Sequence, residues 1–249
     1  MERIKKARSN NGLMKQKHLS HLARSISANK ACNASIDNPY LDLVESMAKK
    51  NVTNGYVSID WNGKFNKMTS WNTYCWGIIP TNDDACFISN FSPIVEIGAG
   101  SGYWAYLIHQ AGATIHSYDK FIPTAMKKTR FATNLWFDVK EGGPEILSTY
   151  NKKWTLLLIR PPSNPDLAPM AKECLKNFKG NRFIYAGEMC KTNANASFFK
   201  HLYANFDEIF SKDLAYTSQN PNYLKLYHRK AIAEQEKQYC DKRHMVNDS

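Results

Sequence analysis

A chain of 249 residues with 43% hydrophobic and 22% charged side chains can bury a full central sheet and fits one globular domain with appendages. No uninterrupted apolar run approaches the roughly 20 residues of a membrane span, so no membrane partner is expected. The net charge of +11 is unevenly spread: residues 1–30 hold eight Lys/Arg against Glu2 alone and carry +7, leaving +4 for everything after them.

The first segment, 1–37, therefore reads as a basic arm, and three roles stay open for it. It is a solvated extension, a contact for RNA or another acidic partner through its clustered Lys/Arg, or an organelle transit peptide, against which Glu2 counts. No hydrophobic core of a secretory signal is present. The six cysteines (Cys32, Cys75, Cys86, Cys174, Cys190, Cys240) show no CxxC or other metal-ligand spacing. Free thiols in a reducing compartment are the expectation, and no metal site is. The expected setting is intracellular and cytoplasmic, with nuclear or organelle targeting by the arm as the alternative.

Segment 38–92 begins with NPYLDLVESMAKK (38–50), where Leu41, Val44 and Met47 recur at a spacing that predicts a short amphipathic helix. GYVSIDWNGKFNKMTSWNTYCWGIIP (55–80) follows, irregular in period and holding three of the six tryptophans. It reads as an aromatic cap over the core, and such a cap can also roof a small-molecule pocket. From 93 the pattern becomes regular. PIVEIG is a buried strand, and GYWAYLIHQAG a helix with Trp104, Leu107 and Ile108 on one face and Gly112 near its end. ATIHSYD is a second strand ending at Asp119; a helix near 122–134 and a short strand around 136–140 come next.

WTLLLI (154–159) is almost wholly apolar and is cut off by Pro161-Pro162, which suits a parallel strand covered on both faces. LAPMAKECLKNF is a helix with Gly180 placed to end it, RFIYAGE (182–188) a strand, and NASFFKHLYANF a helix. FDEIF and YLKLYHRK are two more strands with no helix between them. The alternation predicts a doubly wound α/β domain over 93–231, mostly parallel, with a terminal antiparallel hairpin. A polar tail, 232–249, closes the chain.

The chemistry centres on VEIGAGSGYWAYL, Val95–Leu107. Glycines after a strand let the backbone approach a ligand, and the N–H groups of the following helical turn favour negative charge. A dinucleotide fingerprint is GxGxxG, whose third glycine allows close packing of helix on strand. Here the spacing is GxGxG and Tyr103 stands where that third glycine belongs, which counts against a pyrophosphate.

With EIGAGSG, HSYD at the end of the second strand, LLLIRPP after the fourth and a late hairpin, residues 70–231 resemble the class I S-adenosylmethionine-dependent methyltransferases. The resemblance implies a Rossmann-like seven-stranded sheet and S-adenosyl-L-methionine as cofactor. It implies that Glu96 and the Gly98–Gly102 backbone, with Gly98, Ala99, Gly100 and Gly102, lie along the methionine moiety, and Tyr103 is a further candidate to line the cofactor pocket. Asp119, with Lys120 beside it, would accept hydrogen bonds from the ribose hydroxyls. For adenine, KEGGP offers Glu141 or the backbone of Gly142 and Gly143, and the choice stays open.

Two candidates bear on the methyl acceptor. Amino-methylating relatives often carry Asp or Asn before Pro-Pro and an aromatic after; RPPSNP has Arg160 and Ser163 at those places. Arginine has donors and no acceptors, so it cannot receive a hydrogen bond from an amino group. Arg160 instead suits an anionic group, carboxylate or phosphate, or simply ends a strand facing solvent. Glu188, at the end of the fifth strand, is placed to face substrate or to be a surface charge. Cytosine carbon methylation lacks its Pro-Cys pair, and a ribose-methylating Lys-Asp-Lys-Glu set lacks its Asp. A small molecule or protein is the preferred acceptor. RNA methylation through the arm, a non-catalytic binding module, and a nicotinamide-dependent oxidoreductase are the other readings, the last disfavoured by Tyr103.

Overall fold

The computed structural model describes residues 35–47, 51–53, 56–58, 73–75, 77–122, 135–189, 193–217 and 221–231. The arm to residue 34, most of the aromatic cap, the helix expected near 122–134 and the tail from 232 lie outside the described residues.

A seven-stranded sheet organises the domain. Its strands are β4 (Ile94–Ile97), β5 (Ile115–Asp119), β6 (Val139–Glu141), β7 (Thr155–Ile159), β8 (Arg182–Gly187), β9 (Phe206–Asp213) and β11 (Tyr223–Arg229), in the order β6-β5-β4-β7-β8-β11-β9. The first five pair in parallel, and β11 runs antiparallel to both β8 and β9. This is the doubly wound sheet with a terminal hairpin that the strand–helix alternation predicts. A short hairpin, β1 (Asn51–Thr53)/β2 (Tyr56–Ser58), and a two-residue antiparallel pair, β3 (Ile78–Ile79)/β10 (Tyr216–Thr217), stand outside it.

Helices cover both faces because successive strand residues point to opposite sides. Ile94, Leu157 and Ile184 face one apolar layer, built with Tyr40, Val44, Ile88, Leu107 and Ile108. Their neighbours Val95, Leu156, Leu158, Phe183 and Tyr185 face the other, with Leu175, Phe198, Leu202 and Tyr227. The first layer draws on α1 (Pro39–Met47), α2 (Asn82–Ser89) and α3 (Tyr103–Gln110); the second on α4 (Pro169–Asn177) and α5 (Ala196–Asn205). Two-sided burial explains why β7 reads as an unbroken apolar run, whereas β9 at the sheet edge has only its first residue fully buried.

Three details depart from expectation. Helix α2 has no counterpart in the periodicity, and a capping box starts it: Thr81 Oγ1 accepts from Asp84 N (3.1 Å) and Asp84 Oδ2 from Thr81 N (3.0 Å). Gly180 does not end α4, which closes at Phe178. Its missing side chain makes room instead, since a Cβ there would sit 2.5 Å from the Trp154 carbonyl and inside the Phe178 ring. The expectation of free thiols holds at Cys75 and Cys174 and is corrected at Cys86, which is disulfide-bonded. No described helix is long and apolar enough to cross a membrane.

Candidate functional site

The chain leaves β4 toward β5 and β6 on one side and returns to β7 and β8 on the other, so the strand order reverses beside β4. Such a switch point opens a crevice at the carboxyl ends of the strands. A cavity of about 670 Å³ lies there, within the roughly 300–1,000 Å³ typical of ligand sites.

One end of the cavity is made of backbone. Gly98, Gly100 and Gly102 all have positive φ (79°, 58° and 74°), and this coils the loop tightly between β4 and α3. Gly98 N and Ala99 N donate to the Tyr118 carbonyl (2.8 and 3.1 Å), which ties the loop to β5. Gly100 N donates to Asp119 Oδ2 (2.8 Å) and Phe121 N to Asp119 Oδ1 (2.8 Å). The Asp119 carboxylate is thus fixed in orientation, and each oxygen keeps accepting capacity. Burial raises the Asp119 pKa, and the two backbone donors oppose that shift. Gly142 N donates to the Asp119 carbonyl (3.1 Å) and carries the chain across the cavity floor beside Glu141.

Glu96 lies under this end. Burial pushes its carboxyl up to about 7; the Ser117 hydroxyl, donating to Oε2 at 3.1 Å, works against the rise and the nearby Asp119 charge adds to it. A cavity-lining carboxyl poised near neutrality takes a cationic group readily, because ionisation then restores a favourable charge pair.

The other end is made of side chains. Arg160, at the end of β7, has φ 42°, an uncommon region for a residue with a Cβ. Its backbone N–H donates to the Ala186 carbonyl at 2.7 Å, which locks the bend to β8. The guanidinium then lies over Gly77, where any side chain would overlap it, and Nη2 comes 3.8 Å from Glu188 Oε1. The chain after β8 is pinned alongside: Ala194 N donates to the Pro161 carbonyl (2.8 Å), and Asn193 Oδ1 accepts from Glu188 N (2.8 Å).

Of the residues singled out in the sequence, Glu96, Gly98, Ala99, Gly100, Asp119, Lys120, Glu141, Gly142 and Arg160 line this cavity, and Gly102, Tyr103 and Glu188 do not. Gly102 sits beneath α3 against β6, where a Cβ would meet Val139 Cγ2 at 2.7 Å. Tyr103 is fully buried among Tyr40, Tyr74 and Trp136. Its hydroxyl donates to Asn38 Oδ1 (2.7 Å) and accepts from Tyr40 N (2.9 Å). The ring therefore clamps α1 onto α3 and faces away from the ligand space. Glu188 reaches the cavity only through Arg160.

Cys75, Phe121, Met170 and Asn193 also line the cavity, and Trp104 does so from α3. Phe121, 40% exposed, lies two residues after Asp119, and that closeness in the chain is the available signal. Nothing local marks Cys75 or Asn193. The stretch 73–75 arrives by long-range contacts: Ser101 Oγ donates to the Tyr74 carbonyl and Trp136 Nε1 to that of Thr73 (2.6 Å). Among the described residues no cluster of His, Cys, Asp and Glu could hold a metal ion.

The architecture defined by this sheet and switch point is a doubly wound, Rossmann-like fold with a seven-stranded, mostly parallel sheet. No protein-family model matches the sequence, and no curated protein does. Solved structures with a similar course of chain include a SAM-dependent methyltransferase from Anabaena variabilis (9% identity, 56% of this chain and 77% of that one, TM-score 0.39). A precorrin-6y C5,15-methyltransferase from Geobacter metallireducens matches over 64% of this chain and 93% of its own (12% identity, TM-score 0.41). A magnesium protoporphyrin IX methyltransferase from Synechocystis with bound SAM covers 80% of this chain and 100% of its own (13% identity, TM-score 0.39).

Proposed function

We propose that this protein is a methyltransferase that uses S-adenosylmethionine and transfers its methyl group to a small molecule. The observation that carries the reading is the Asp119 carboxylate, bonded to Gly100 N at the mouth of the glycine loop and beside a cavity of ligand size. The site fits the cofactor on its own chemistry. Asp119 has an acceptor position left on each oxygen for a pair of ribose hydroxyls. A Cβ at Gly100 would meet nothing within 4 Å, so the loop leaves open space for a ligand to approach its backbone. Glu96 suits the ammonium of a methionine moiety, with Gly98 and Ala99 beside it. Glu141, Gly142 and the exposed Phe121 ring are placed to border the adenine.

S-adenosylmethionine supplies a methyl group already activated on a sulfonium. What the chain adds is alignment and exclusion of water, and orientation of this kind is worth on the order of 7–11 kcal/mol. Arg160 and Asn193 would hold the acceptor at the far end of the cavity, and Glu188 would hold Arg160. Gly102 and Tyr103 act as packing elements that set the loop's position.

Calorimetric titration with S-adenosylmethionine, S-adenosylhomocysteine and NAD tests the reading. Binding of either sulfur compound, weakened at least about 30-fold in Asp119→Ala, is expected, since a hydrogen bond to a charged group is worth about 1.5–3 kcal/mol. Binding of NAD alone would overturn it. Transfer of labelled methyl to fractionated cell extract then reports whether the acceptor is small or macromolecular.

A further inference from the structure

The acceptor end of the cavity holds an unsolved electrostatic problem. The Arg160 side chain is 21% exposed, and Nη1 is buried without a hydrogen-bond partner among the described residues. Its one ion-pair partner among the described residues is Glu188, and at 3.8 Å that contact is an attraction rather than a hydrogen bond. Burial lowers the Arg160 pKa and the Glu188 charge raises it, so the protein spends desolvation on this cation and recovers only part. It also accepts a left-handed backbone at Arg160 and a glycine at 77 to seat the group. Strain of this kind persists where the surroundings impose it, and it clusters at binding sites.

From this we infer that Arg160 is the anchor for a carboxylate on the methyl acceptor, so that the substrate is a small carboxylic acid. The inference rests on the methyltransferase reading for the word acceptor, and on the cavity alone for the carboxylate. Two features select that chemistry. A guanidinium presents paired donors in a plane that matches a carboxylate fork. The cavity wall also carries Glu96, Asp119, Glu141, Glu145 and Asp166 against Lys120 and Arg160. A dianionic phosphate would meet that surplus of negative charge more strongly than a monoanion does. Glu188 is a positioning residue that holds the guanidinium at the cavity wall, and Asn193 and Ser163 line the space beside it.

The test uses the full chain with labelled arginine, saturated with S-adenosylhomocysteine, and follows the Arg160 Nε–H resonance during titration with benzoate, benzamide and inorganic phosphate. Benzoate is expected to shift that resonance saturably, with benzamide and phosphate at least tenfold weaker. Arg160→Lys should weaken benzoate binding about tenfold, and Glu188→Gln should weaken it less while broadening the resonance. Benzoate that leaves the Arg160 signal unmoved, or binds Arg160→Gln as well as wild type, overturns the inference. So does a response led by phosphate or benzamide. If a variant fails to fold, the wild-type titration still decides. Absence of S-adenosylhomocysteine binding sinks the methyltransferase reading instead, and the benzoate titration repeated without it still reads the anchor.

Discussion

The two ends of the cavity are built by different means. At the β4–β5 end the ligand-facing groups are main-chain atoms and the carboxyl groups of Glu96 and Asp119, held within 96–101 and 119–121. At the β7–β8 end they are the side chains of Arg160, Ser163 and Asn193, with Arg160 seated on Gly77 and paired with Glu188 behind it. A backbone-built end needs glycines at fixed spacing and tolerates few changes. A side-chain-built end can exchange its residues while the sheet stays the same. On the proposed function, the first end takes the cofactor and the second takes the acceptor.

The sharpest way to break that contrast is at two glycines of one loop. Gly102→Ala places a methyl 2.7 Å from Val139 Cγ2 and 3.0 Å from Phe137 Cβ, at φ 74°. Overpacking and left-handed strain together should cost about 3 kcal/mol of stability, read as a lower urea midpoint. Gly100→Ala meets no neighbour, so it should cost only about 1 kcal/mol and instead lower S-adenosylmethionine affinity at least about tenfold. Equal stability losses, or unchanged affinity in Gly100→Ala, would mean that the loop is packing throughout.

Next in size is Tyr103→Phe. Losing the hydroxyl leaves Tyr40 N and Asn38 Oδ1 short of a buried partner, at about 1–3 kcal/mol. Cofactor affinity should stay within about twofold of wild type. Lost affinity with stability unchanged would return Tyr103 to the ligand side.

These variants also show what the sequence made legible. The sheet could be read because β4, β7 and β8 are buried on both faces and appear as unbroken apolar runs between glycines and prolines. The β4–β5 end could be located because its parts are contiguous. Chain adjacency to the glycines suggests Tyr103 as a cofactor contact but cannot reveal which way a helix's first residue turns; α1, 63 residues away, decides that. Helix α2 escaped because its apolar spacing is weak, although Thr81 and Asp84 carried a capping signal. The seat of Arg160 on Gly77 is an 83-residue contact, and no local pattern encodes it.

A pH dependence separates the ends again. Glu96, with a carboxyl near 7 against an ordinary 4.5, holds a proton in the folded chain that the unfolded chain has released. Its contribution to stability is present in full below about 4.5 and is lost as pH rises through about 7. Wild type should lose stability across that window, and Glu96→Gln should flatten the loss. Affinity for S-adenosylmethionine should move the opposite way, rising up to about tenfold from pH 6 to 8 as Glu96 ionises, and Glu96→Gln should remove the rise. A rise retained in Glu96→Gln would place the titrating group elsewhere.

The smallest effect belongs to Lys120→Ala. Lys120 is exposed on the cavity rim, its Nζ 5.6 Å from the centre of the Phe121 ring, an arrangement worth about 0.5–1 kcal/mol at most in water. What this position lends the site is its backbone, which brings Phe121 N onto Asp119 Oδ1, and alanine preserves that. Stability should change by less than about 0.5 kcal/mol, and calorimetry should find cofactor affinity within about threefold of wild type. A larger loss of affinity would show that the Lys120 side chain joins the Asp119 carboxylate in building the β5 end, and the contrast between the two ends would narrow.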